Sequence, residues 1–166
     1  MKKTTFALLI LSMVCYSQNQ KIDRKPFKLE LVADAENNYS ANISKSPYFV
    51  KEKVLQIYPG EELNIETEIK GDSIFSMKVV DKISFPEKTI KLKFIQNVTD
   101  RKNTQMILSV VNPFDKKMVY DAKIYTVGGQ RWSPTSIIPI EPKLVGYETW
   151  PDVIATMALE KWRFIK

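Results

Sequence analysis

Val54-Leu55-Gln56-Ile57-Tyr58-Pro59-Gly60-Glu61-Glu62-Leu63-Asn64-Ile65-Glu66-Thr67-Glu68-Ile69-Lys70 sets the architecture of this chain. The first five residues are apolar and β-rich, and Pro59 and Gly60 break the run. Leu63, Ile65, Thr67 and Ile69 then alternate with Asn64, Glu66, Glu68 and Lys70. A period of two sends one set of side chains to a core and the other to water, as in a half-buried strand. Working toward the N-terminus, Phe27, Leu29, Leu31 and Ala33 repeat the pattern around Lys28, Glu30 and Val32. Asn37 and Asn38 then suit a turn into a short strand at Tyr39, Ala41 and Ile43.

Toward the C-terminus the punctuation continues. Gly71 and Asp72 precede an extended segment from Ser73 to Ser84 built around Phe75, Met77 and Val79, and Pro86 and Glu87 turn the chain again. Ile90, Leu92 and Phe94 alternate with Lys91 and Lys93, which predicts an inner apolar face and an outer basic row. After a polar loop from Thr99 to Thr104 come Met106, Leu108 and Val110. The turn from Asn112 to Lys117, with Pro113, predicts a hairpin to Met118, Tyr120, Ala122 and Ile124. Gly128 and Gly129 end that strand. Three prolines between Ser133 and Pro142 predict an edge strand or an extended crossing segment, since proline cannot donate to a central ladder.

Asp152 to Lys166 reads two ways. Ile154, Met157, Ala158, Lys161, Trp162 and Ile165 fit a helical spacing, whereas Met157 with Leu159 and Trp162 with Phe164 fit a strand with a bulge near Glu160. The strand reading is taken because it follows a run of β elements. The fold class expected is all-β, an antiparallel two-sheet sandwich of about eight to ten strands. It covers residues 27–166, after an N-terminal extension at 18–26.

The start of the chain has the order of a secretory signal peptide over residues 1–17: Lys2 and Lys3, apolar Phe6 to Val14, then Cys15, Tyr16 and Ser17. Ser17 and Cys15 place cleavage before Gln18. A lipoprotein anchored through Cys15 is the competing reading, although Val14 stands where lipoprotein processing wants a small residue. The apolar run is shorter than the ~20 residues of a membrane-spanning helix, so no transmembrane segment is expected in the mature chain. The ending Tyr16-Ser17-Gln18-Asn19 resembles signal peptides of Bacteroidota, flavobacteria in particular, which implies a periplasmic or extracellular location.

Composition narrows the chemistry. The chain has one cysteine, Cys15, and no histidine among its 166 residues. The mature part therefore has no disulfide and lacks the usual general base and commonest metal ligand. Neither a Ser-His or Cys-His nucleophile nor an ordinary zinc site is expected, and no cofactor. Formal net charge is +6, with Lys2 and Lys3 in the leader. The basic residues Lys21, Arg24, Lys25 and Lys28, Lys88, Lys91 and Lys93, and Arg101 and Lys102 are interspersed with acids and read as solvated strand faces. Export argues against nucleic acid as a partner.

Val54 to Glu62 and the Asn112-Pro113-Phe114-Asp115 turn resemble strand-entry and hairpin patterns of immunoglobulin-like sandwich modules in secreted bacterial proteins. The resemblance spans about half the chain and implies a domain that binds or spaces rather than catalyses.

Trp132, Tyr147, Trp150 and Trp162 gather in the last quarter of the chain, where exposed rings would stack on sugars as a glycan contact and buried rings would plug the sandwich end. Asp34, Glu36 and Asn38 space oxygens as a calcium loop does, but an ordinary acidic turn is preferred because the turning glycine and bidentate glutamate are missing. Glu66 and Glu68 share a strand face as a catalytic carboxylate pair would, or as solvent-facing residues. Asn38, Asn42 and Asn97 head N-glycosylation acceptor patterns, which a bacterial source would leave unused. Asp72-Ser73-Ile74 fits a short Bacteroidota O-glycosylation pattern. The expectation is a non-catalytic exported domain contacting an envelope protein or glycan. A carboxylate-based hydrolase of envelope polysaccharide and a purely structural envelope component are the alternatives.

Overall fold

The structure, a computed structural model, describes residues 22–101 and 103–165. The leader, Cys15 and the cleavage point before Gln18 lie outside the described residues. In chain order the strands are β1 (Asp23–Arg24), β2 (Phe27–Val32), β3 (Asn38–Ile43), β4 (Ser46–Pro47), β5 (Phe49–Lys51), β6 (Val54–Ile57), β7 (Glu62–Lys70) and β8 (Ser73–Val80). After a short 3-10 turn at Pro86–Lys88 come β9 (Thr89–Asp100), β10 (Asn103–Val111), β11 (Lys117–Thr126), β12 (Ser133–Thr135), β13 (Val145–Trp150) and β14 (Ile154–Ile165). Among the described residues no helix is long and apolar enough to cross a membrane.

Two antiparallel five-stranded sheets face each other, as the alternation predicts. One, sheet I, has the order β13-β10-β9-β7-β8, and the other, sheet II, the order β12-β11-β14-β6-β5. Leu63 and Ile65 of β7, Ile90, Leu92 and Phe94 of β9, and Met106, Leu108 and Val110 of β10 meet Leu55, Ile57, Met118, Tyr120, Met157 and Leu159 from the opposite sheet. Apolar burial across this layer is the main driving force, about 1.5–3 kcal/mol for each large aliphatic side chain. Two smaller pairs lie outside the sheets, β1 with β4 and β2 with β3. Leu29 and Leu31 of β2 are buried apart from the continuous core. The amide of Gln96 on β9 holds that hairpin by accepting from the Val32 N–H at 2.9 Å and donating to its carbonyl at 2.8 Å.

β14 resolves the ambiguity of the last segment in favour of a strand, with the bulge where the pattern places it. Val119 pairs with Arg163 and Asp121 with Glu160, so Lys161 and Trp162 together oppose Tyr120. Lys161 takes a left-handed backbone, φ 53°. The extra residue restores the inward face, and Trp162 joins Met157 and Leu159 in the core.

One expectation is corrected. β10 and β11 do not form a hairpin: β10 pairs with β9 and β13, β11 with β12 and β14. Asn112 turns the chain from one sheet to the other. Fully buried, its amide donates to the carbonyls of Lys116, Ile140 and Glu141, and its side-chain oxygen accepts the Phe114 N–H. Alternation fixes which way a strand faces and leaves its partner open, so an arch and a hairpin look alike in sequence.

The proline-rich segment does both things expected of it. Ser133–Thr135 is an edge strand on β11, and the chain then crosses to the other sheet. On the way Ile140 bridges Met118, and the Ile138 N–H donates to Glu148 Oε1 on β13 at 2.7 Å.

Candidate interaction surface

The most heavily bonded polar site lies at the N-terminal corner. Tyr58, Pro59, Gly60 and Glu61 form a turn closed by the Glu61 N–H on the Tyr58 carbonyl, and Gly60 supplies the positive φ of 92° that its position requires. The turn aims the Glu61 carboxylate at Arg24, which is 1% exposed. Arg24 Nε donates to Glu61 Oε1 at 2.6 Å and Nη2 to Oε2 at 3.2 Å, with further bonds to Ser46 Oγ and the Gln56 carbonyl. Its guanidinium stacks between the rings of Tyr48 and Tyr58, 4.6 and 4.8 Å from their centroids. Burial raises both phenol pKa values, and at Tyr48 the Glu61 charge adds to the effect. Arg24 was read from sequence as solvated; its acid partner lies 37 residues away, beyond any local spacing rule. The open cleft of about 620 Å³ beside it is lined by Lys25, Phe27, Lys28, Glu30 and Asp81 among others. With every donor of Arg24 directed at protein, this corner is a fastening that ties β1 and β4 to the β6–β7 turn.

The four aromatics read as glycan contacts or as rings packing the sandwich end are dispersed. Trp162 is 6% exposed and lies against Tyr120, ring centroids 4.5 Å apart, which takes it off the surface; its indole N–H has no partner among the described residues. Trp150 is half-buried against the core and donates to Thr135 Oγ1 at 2.9 Å. Trp132, 41% exposed, packs edge-on against Tyr125 of β11. Tyr147, 66% exposed, stands on the outer face of sheet I.

Register places Tyr147 in a row. It pairs with Ser109 of β10, which pairs with Lys93 of β9, and the next row runs Val145, Val111, Lys91. Strands ~4.8 Å apart put the tyrosine and lysine backbones ~10 Å from each other, with the small Ser109 between them. Thr149, Ile107 and Ile95 continue the face without charge. The result is an aromatic and aliphatic strip bordered by Lys91 and by Lys93, whose ammonium lies 3.6 Å from Glu62 Oε2 of β7. The alternation of β9 made the lysine row visible in sequence, but only the pairing of β13 with β10 brings the tyrosine beside it.

The acidic candidates serve local structure. Asp34 accepts from the Asn37 side-chain amide and from the Glu36 and Asn37 N–H groups, which together lower its pKa, and Asn38 Oδ1 accepts from Arg101. Glu66 pairs with Lys78 at 2.8 Å, and Glu68 accepts from Ser76 at 3.1 Å. Each carboxylate is engaged on the solvent side of sheet I.

No family model, curated protein or solved structure matches this chain.

Proposed function

We propose that this protein is a non-catalytic binding domain, exported to the cell envelope or beyond, that acts by contact with an envelope protein or glycan through the outer face of sheet I. The observation that carries this reading is Tyr147, a ring 66% exposed in register with Ser109 and Lys93. An aromatic face beside a cation offers stacking and charge without chemistry of its own, which is how such surfaces recognise sugars and partner side chains. The test is binding of the purified chain to glycan arrays and to envelope fractions from its own source. Tyr147→Ala and Lys93→Ala should each abolish retention while Trp132→Ala leaves it intact. Retention that ignores both changes, or hydrolysis of envelope polysaccharide lost in Glu66→Gln, would sink the proposal.

A further inference from the structure

Of the four edge strands that bound the two large sheets in the described residues, β13 alone carries neither lysine nor proline. β12 is three residues long and contains Pro134, β5 is three residues long and ends on Lys51, and β8 carries Lys78 and has its Ile74 carbonyl covered by Lys53 Nζ. β13 reads Val-Gly-Tyr-Glu-Thr-Trp, and its only charge, Glu148, is held by the Ile138 N–H.

The direction of its backbone groups follows from the register. Asn112 N–H donates to the Leu144 carbonyl, whose own N–H closes a turn on the Glu141 carbonyl, and in this register Gly146, Glu148 and Trp150 point their main-chain groups at β10. Val145, Tyr147 and Thr149 point theirs away from it, and these groups find no partner among the described residues. The same stretch holds the exposed side chains of Leu144 (57%), Val145 and Tyr147.

We infer that β13 pairs with β13 of a second copy of this chain, antiparallel about a two-fold axis at Tyr147. The spacing is self-complementary. Val145 bonds Thr149 of the second copy, Tyr147 bonds its own counterpart, and all three outward donor and acceptor pairs are satisfied on both sides. Between them Leu144 comes opposite Trp150 and Gly146 opposite Glu148, so an exposed leucine meets a half-exposed indole and no like charges face each other. Sheet I of the two copies becomes one continuous ten-stranded sheet. The inference is independent of what the outer face binds.

Sedimentation velocity of the purified chain from about 10 µM to about 1 mM tests it, across the range of weak association. A monomer–dimer equilibrium is expected. Val145→Lys should weaken dimerisation at least tenfold, and adding Thr149→Glu to the same chain should restore it, because each lysine then faces a glutamate across the axis. Tyr147→Pro removes an outward N–H, together with the exposed ring, but no bond to β10, and should leave a folded monomer by circular dichroism. A chain monomeric to 1 mM, including one that instead takes up an extended peptide along β13, overturns the inference. So does a dimer that Val145→Lys leaves intact or that the double change fails to rescue.

Discussion

The Arg24 corner and the β13 edge both present backbone and polar groups where strands end, yet one is closed and the other open. At the first, a guanidinium, a carboxylate and two tyrosine rings satisfy one another out of water. At the second, three residues hold their main-chain groups toward solvent beside an exposed tyrosine. The difference teaches where stability and contact reside: the closed corner fastens the fold, and the open edge leaves its binding capacity unspent.

Breaking the closed corner should have the largest effect. Arg24→Ala strands Glu61 without its buried partner, a loss of about 3–5 kcal/mol, read as a lower urea midpoint. A variant that unfolds like the parent would show that the corner fastens nothing.

Gly146→Ala probes the boundary between the two regimes, since Gly146 belongs to the open strand but its inner side is crowded. A Cβ there would lie 2.6 Å from Ile140 Cγ1 and 2.8 Å from its Cδ1, and Ile140 is buried. A loss of about 1–3 kcal/mol is expected from this overpacking. Unchanged stability would mean that Ile140 yields freely.

Asp121, Lys161 and Arg163 sharpen the comparison by repeating ion pairing without burial. Asp121 accepts from Lys161 Nζ at 2.9 Å and from Arg163 Nη1 at 2.8 Å, and all three side chains are solvent-accessible. Hydrogen bonds from Lys161 and then Arg163 hold the Asp121 pKa below its ordinary value, and Asp121 in turn raises that of Lys161. The aspartate contribution is therefore present above the ordinary carboxylate pKa and fades as pH falls through the lowered folded value. The lysine contribution is complete below its ordinary pKa and fades as pH rises through the raised one. Asp121→Asn should lower the thermal midpoint only slightly at pH 7, because water screens exposed pairs, and the difference should narrow as pH falls below the ordinary carboxylate pKa. A shift as large as that of Arg24→Ala would contradict the role given to burial.

The smallest effect belongs to the open strip. Tyr147→Ala should change stability by no more than about 0.5 kcal/mol, as surface substitutions do, while removing the proposed binding. A sharp fall in stability would make Tyr147 a packing residue instead.

The parts of the fold legible in the sequence were those governed by parity. Leu63, Ile65, Ile90, Leu92 and Phe94 face the core as their period of two requires, and the slip between Leu159 and Trp162 announced the bulge in β14. Partnership was not legible, because strands in one sheet or two carry the same alternation; hence the arch at Asn112. The site suffered the same limit. Lys91 and Lys93 were visible as a row, but their proximity to Tyr147 depends on a pairing across strands distant in sequence. Likewise nothing near Arg24 pointed to Glu61.

β14 sits between β11 and β6 in the middle of sheet II, although it follows every other described strand along the chain. Thr156 Oγ1 bonds the carbonyl of Ile57, 99 positions earlier. In the time order of synthesis, β6 waits for its neighbour until residues near Thr156 have been made. Such distant pairing closes slowly, since the entropy of a long loop must be lost before any contact rewards it. A nascent chain stopped before Ile154 has two halves of sheet II and nothing to join them. Sheet II therefore closes last, only once the end of the described chain has been made.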